Sequence, residues 1–224
     1  MGQTSESFRL GALLAVAGGF LDAYTYLVRG GVFANAQTGN IVLLGVRMIQ
    51  GQWALALHYL IPILAFAGGV VVADLVKYRF RHASGIHWRQ MTVGLELVLL
   101  AGVAFLPSQM DNLANIAVSF VCAVQVESFR KVHGNAFATT MCTGNLRSGT
   151  ERMLQYLRTG DRDHGRRAAQ YYGIILFFVA GAAVGALCAD CMGQKGVLIS
   201  LVPLGCAFLM MFEWKTLAGK KKSV

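Results

Sequence analysis

The chain has 224 residues, 55% of them hydrophobic and only 14% charged, with a formal net charge of +9. A soluble domain of this length carries about a quarter charged residues, so the composition excludes an ordinary water-soluble domain. Its Lys and Arg residues are bunched between apolar runs, as in the cytoplasmic loops of membrane proteins, which argues against nucleic acid as the partner of the positive charge.

The first apolar run starts beside Arg9 and continues, without a small-residue cleavage site, through Asp22. It reads as a retained helix and not as a signal peptide. A hydrocarbon core about 30 Å thick needs roughly 20 mostly apolar helical residues. Runs at about 9–28, 56–78, 90–107, 112–130, 168–190 and 196–214 satisfy that requirement. Two further stretches, about 32–50 and 136–156, are shorter and open on small and polar residues. Each reaches Thr-Gly-Asn before a helical pattern begins: Thr38-Gly39-Asn40 in the first and Thr143-Gly144-Asn145 in the second.

These two stretches are an internal repeat. The shift that carries Thr38 onto Thr143 also carries Asp22 onto Glu127, Tyr24 onto Phe129, Arg47 onto Arg152 and Met48 onto Met153. The chain therefore reads as one membrane domain, 1–224, with halves at about 1–107 and 108–224. If both Thr-Gly-Asn stretches crossed the bilayer, the basic loops 77–89 and 130–131 would be translocated, against the positive-inside tendency. If both are re-entrant, every Lys and Arg except Arg29, Arg47 and Lys195 falls on the cytoplasmic side. The second arrangement is favoured. It predicts an all-α polytopic membrane protein with six full spans, two re-entrant half-helices and two inverted three-span repeats, with both termini cytoplasmic.

A loop that returns from mid-membrane as a half-helix brings free amide groups and the positive end of a helix dipole to the bilayer centre. Two such ends meeting is a recurring design of channels and transporters. The residues expected to line the constriction are Thr38, Gly39, Asn40, Thr143, Gly144 and Asn145, together with Asn35 and Thr140. Thr38, Asn40, Thr143 and Asn145 are also residue types that cap helix ends. The bland alternative is a pair of kinked helices packed through Gly and Thr. Carboxylates within apolar spans are costly and usually face a cavity or a partner. Asp22 and Glu127 are thus candidate coupling groups, with Glu96 behind them, whereas Asp74 sits one turn from Lys77 and suits an ion pair.

Other features carry less. The five cysteines suggest no disulfide framework, and Cys188-Ala-Asp-Cys191 lacks the second pair or nearby His of a metal site. No metal, cofactor or catalytic grouping is expected. Gly181 and Gly185 form a small-residue packing stripe, suited equally to an internal contact or to a homo-oligomer. The expected partners are the lipid bilayer and a small-molecule solute. The rival readings are a non-transporting accessory, sensor or assembly protein and an intramembrane lipid enzyme.

The stretch Gly19-Phe20-Leu21-Asp22-Ala23-Tyr24-Thr25-Tyr26, then Phe33 to Asn40, and later Ala138-Thr139-Thr140-Met141-Cys142-Thr143-Gly144, resembles the YoaK family of bacterial integral membrane proteins. The resemblance covers nearly the whole chain. It implies a multi-span helical protein of the bacterial inner membrane, and it supplies neither a substrate nor functional residues.

Overall fold

The computed structural model describes residues 8–80, 88–129 and 142–220, with side chains as far as Met211. Within those residues the helices are α1 (Phe8–Val28), α2 (Gln37–Ile49), α3 (Trp53–Phe80), α4 (Trp88–Val103), α5 (Asp111–Ser128), α6 (Cys142–Thr159), α7 (Arg162–Met192) and α8 (Leu201–Lys220). Short 3-10 stretches lie at Ser108–Met110 and Gly193–Ser200, and no strand occurs among the described residues.

Polarity runs opposite to that of a soluble protein. Asp22, Arg29, Asn35, Asn40, Glu96, Asn115, Ser119 and Gln125 are buried, while Leu57, Leu64, Val71, Leu75, Leu176, Val179, Leu187 and Val202 face outward. Apolar surface on that scale is stable only where the solvent is lipid. By length and composition three stretches are suited to crossing a membrane: Phe8–Val28, Trp53–Phe80 and Arg162–Met211, the last taking in α7 and the described side chains of α8. The runs expected at 90–107 and 112–130 fall short of the same standard, α4 having 16 residues and α5 only 18 with several polar positions. Both are largely surrounded by protein, and a helix shielded by neighbours has no need of an apolar surface all round.

Two helix pairs organise the molecule. Helix α1 runs parallel to α7, with Phe8 edge-on to Phe177 at 6.2 Å and the Tyr24 hydroxyl donating to the Gln194 carbonyl at 2.9 Å. Helix α3 runs parallel to α5, with His58 2.8 Å from the Asn112 side chain near one end and Lys77 3.5 Å from Glu127 at the other. In both pairs a glycine lets the backbones touch. A Cβ on Gly69 would sit 2.6 Å from the Phe120 carbonyl of α5, and one on Gly181 would collide with the Val16 carbonyl of α1. The Gly181 and Gly185 stripe is therefore spent inside the chain, on α1. Helices α1 and α5 cross antiparallel at the centre, where Gln125 donates to the Leu14 carbonyl and Asn115 to that of Arg29. Helix α4 lies on α5, α8 on α1, and the two touch each other.

Arg29 locks one end of this assembly. Its guanidinium is fully buried and donates through Nε to the Tyr24 hydroxyl, through Nη2 to the Val103 carbonyl, and through Nη1 to the Leu106 carbonyl and to Asp111 Oδ1 at 2.9 Å. One planar fork thus joins the C-terminal ends of α1 and α4 to the start of α5, a geometry that suits Arg and not Lys. Replacing Arg29 by Ala strands three acceptors and a carboxylate, and is expected to lower stability by about 3 kcal/mol. Arg29→Lys should recover less than half of that. Unfolding of the purified variants by SDS titration in mixed micelles checks both values.

Candidate functional site

Helix α1 ends in a Schellman-type turn, with the Gly31 amide bonded to the Tyr26 carbonyl at 3.1 Å. Gly30 and Gly31 both have positive φ, 85° and 78°, a conformation that costs other residues heavily. The chain reverses there and runs without regular structure back along α1. The Asn35 amide donates to Asp22 Oδ1 at 2.6 Å and the Asn35 side chain donates to the Gly18 carbonyl at 3.1 Å. Gly18 and Asp22 lie about 9–15 Å along α1 from its end at Val28, at 1.5 Å per residue. The amides of Ala34 and Ala36 are also directed at the Asp22 carboxyl.

Helix α2 starts at that depth and is 13 residues long, about 20 Å, too short to cross a hydrocarbon core of about 30 Å. It leads back to α3, whose first turns lie beside Gly30 through His58. Asn40 fixes the reversal: its Oδ1 accepts from the Phe33 amide at 3.0 Å while its Nδ2 donates to the Phe33 carbonyl at 2.7 Å. Gly39 is dictated by the same contact, since a Cβ there would lie 2.8 Å from the Phe33 ring.

The N-terminus of α6 arrives at the same place. A cavity of about 650 Å³ is lined by Asp22, Asn35, Gln37 and Thr38 from the first segment, and by Cys142, Thr143 and Gly144 from the second. Tyr26 and Leu27 of α1, Phe33, Phe66 of α3, and Phe178 and Ala182 of α7 complete its wall. Tyr26 and Phe33 are stacked at 4.8 Å. Helix α6 then runs antiparallel along α7, with the Thr150 hydroxyl 3.0 Å from that of Tyr172. Two helix N-termini, a buried carboxylate, several hydroxyl and amide groups and aromatic side chains thus share one half-open cavity. Such a cavity can hold a small solute, with the helix ends favouring negative charge and the rings forming part of its wall.

Of the residues singled out from the sequence, Asp22, Asn35, Thr38, Thr143 and Gly144 line the cavity. Gly39 and Asn40 do not; they hold the reversed segment against α2. Asn145 is buried away from the lining, and Thr140 falls outside the described residues. The capping role expected of Thr38 and Asn40 is not seen, because α2 begins at Gln37 and no side chain caps it. The helix starts one residue before Thr38, and α6 starts one residue before Thr143. Glu127 does not share the cavity with Asp22; it faces Lys77, which also lies 3.8 Å from Asp74. Glu96 is fully enclosed between helices. Tyr26, Phe66 and Phe178 were not legible as lining, since an aromatic in an apolar span looks the same whether it meets lipid, protein or a cavity.

The family model described as "Protein of unknown function (DUF1275)" matches residues 10–210, and the chain belongs to that family. It is 27% identical over 151 residues to the UPF0700 transmembrane protein YoaK of Bacillus subtilis (strain 168), a match covering 65% of this chain and 67% of that protein. The chain is thus a membrane protein, as its outward-facing apolar helices require. No solved structure matches it.

The bond from Asn35 to Asp22 makes a sharp prediction. A hydrogen bond to a charged group contributes about 1.5–3 kcal/mol, so Asp22→Ala should speed amide exchange over residues 32–37 by about ten- to a hundredfold. Asp22→Asn keeps an acceptor oxygen but loses the charge, and should fall between Asp22→Ala and wild type. Hydrogen–deuterium exchange with mass spectrometry reads the difference.

Proposed function

We propose that this DUF1275 protein is a channel or secondary transporter that moves a small polar or anionic solute through the cavity where the N-termini of α2 and α6 meet. The observation that carries this reading is the convergence itself. Two segments far apart in the chain, alike in sequence around Thr38 and Thr143, meet at the same cavity, each placing its threonine in the wall.

The helix contacts support an inverted repeat. Exchanging α1 with α5, α2 with α6, α3 with α7 and α4 with α8 leaves the main set of neighbours unchanged: α1 on α7 answers α5 on α3, and α2 on α3 answers α6 on α7. Gly69 against Phe120 and Gly181 against Val16 are equivalent contacts under this exchange. In the resulting arrangement six helices span the bilayer and the two half-helices α2 and α6 return to opposite faces. Arg79, Arg89, Arg158, Arg162 and Arg166 gather at the end where α3 and α6 finish and α4 and α7 begin. That concentration supports a cytoplasmic position for this end and for both termini, in a bacterial inner membrane.

The chemistry required is selection and passage, with no bond made or broken. Asp22 spends its charge on the amides of the reversed segment, so it holds the half-helix in place without cancelling the field of the helix ends. Thr38 and Thr143 offer hydroxyl groups, one from each helix start, and Phe33, Phe66 and Phe178 shield the solute.

Proteoliposomes containing the wild-type protein should take up at least one solute from a panel of small anions and polar neutral molecules, and Thr38→Trp or Thr143→Trp should reduce that flux to the level of empty vesicles. Flux that persists in both variants would remove the cavity from the path, and no flux for any solute would remove transport. Orientation has its own check. In a cysteine-free background, Gln52→Cys should react with an impermeant maleimide from outside intact cells, and Thr159→Cys only after lysis.

A further inference from the structure

Glu96 takes no part in the cavity wall, yet it is the most unusual side chain in the core. It lies midway along α4, is wholly buried, and neither carboxyl oxygen has a hydrogen-bond partner among the described residues. An isolated carboxylate so placed is prohibitively costly to keep charged, whereas a carboxylic acid is tolerated. On the facing helix α5, the Ser119 hydroxyl is also buried without a partner. Cys122, three residues further along α5, is buried within electrostatic reach of Glu96 and Asp22 and lies near the Asn35 side chain. Asn35 in turn binds Asp22, and both line the cavity. A run of buried polar groups therefore leads from Glu96 on α4, past α5, to the cavity at α1.

We infer that Glu96 is an internal proton-binding site that exchanges its proton with Asp22 through this run. In the transfer the Glu96 O–H bond breaks and an Asp22 O–H bond forms. One carboxylate replaces another, and the net charge of the pair is unchanged. Protonating Asp22 weakens it as the acceptor for the Asn35 amide, so the proton's position is tied to the segment that shapes the cavity. As a coupling site this rests on the transport reading; as a proton site it does not. The other titratable groups on the helices around Glu96 do not compete. Lys195 and Cys206 are exposed, Lys77 faces Glu127 and Asp74, and His58 bonds Asn112 and Gly30.

Infrared difference spectroscopy on the full-length protein in lipid nanodiscs tests this with the proton as the probe. A deuterium-sensitive carbonyl band of a protonated carboxyl group should be present at neutral pH, absent in Glu96→Gln and retained in Asp22→Asn. If Glu96→Gln fails to fold, carbon-13 glutamate, which moves glutamate bands and leaves aspartate bands in place, assigns the band to a glutamate, and its persistence in Glu127→Gln excludes the other buried one. Deuterium should enter the band at least about tenfold more slowly in Asp22→Asn, a difference of about 1.4 kcal/mol in the barrier to exchange. The inference is overturned if no band belongs to Glu96, if exchange is as fast in Asp22→Asn as in wild type, or if sodium ions abolish the band, which would make the site one for a metal cation. A band that behaves as expected in a protein without solute flux keeps the proton site and removes only its coupling role.

Discussion

The hydrogen bond from the Asn35 amide to the Asp22 carboxyl is the interaction on which the centre of this molecule depends. A chain that leaves helical geometry within a membrane protein must find partners for its amides, because hydrocarbon supplies none and each unmet group costs several kcal/mol. Asp22 supplies them from the adjacent helix, and Asn40 supplies a second set to Phe33. The reversed segment is thereby held beside the middle of α1, and α2 must begin there. Remove that acceptor and the cavity loses one of its two helix ends.

The remaining architecture makes this depth possible. Helices approach closely only where side chains are small, and Gly19, Gly69, Gly181 and Gly185 stand at those contacts. Beside the two parallel pairs lies the cavity, at the N-termini of α2 and α6. Arg29 closes one end by joining α1, α4 and α5 through a single guanidinium. Polar groups that would be errors in a soluble core are here the connectors, since the outer surface is solvated by lipid and carries the apolar residues instead.

Charge is used sparingly. Asp22 is neutralised by backbone dipoles, Glu127 by a lysine, Arg29 by Asp111 and carbonyl oxygens. Glu96 alone among these carboxylates has no hydrogen-bond donor facing its oxygens within the described residues. That contrast gives it a different standing: Asp22, Glu127 and Asp111 face donors that hold them in place, and among the described residues Glu96 faces none.

The sequence alone determined the class of this protein, because few charges, long apolar runs and clustered Lys and Arg can be satisfied only in a membrane. It also marked Thr38 and Thr143 as equivalent, and Asp22 as a carboxylate needing a partner, because polar residues in apolar spans stand out whatever their surroundings. It did not determine which polar groups meet. The repeat pairs Asp22 with Glu127, yet Glu127 faces Lys77 at 3.5 Å and is absent from the wall that Asp22 joins, and only the packing of α3 on α5 sets that contact. Asn40 looked like a lining or capping residue and serves to staple Phe33, since nothing local says that the chain doubles back far enough for the two to touch. The aromatic wall, the meeting of the two helix ends and the isolation of Glu96 are long-range contacts between segments tens of residues apart. Periodicity and composition report what each segment prefers to be next to, and only the tertiary structure decides what it is next to.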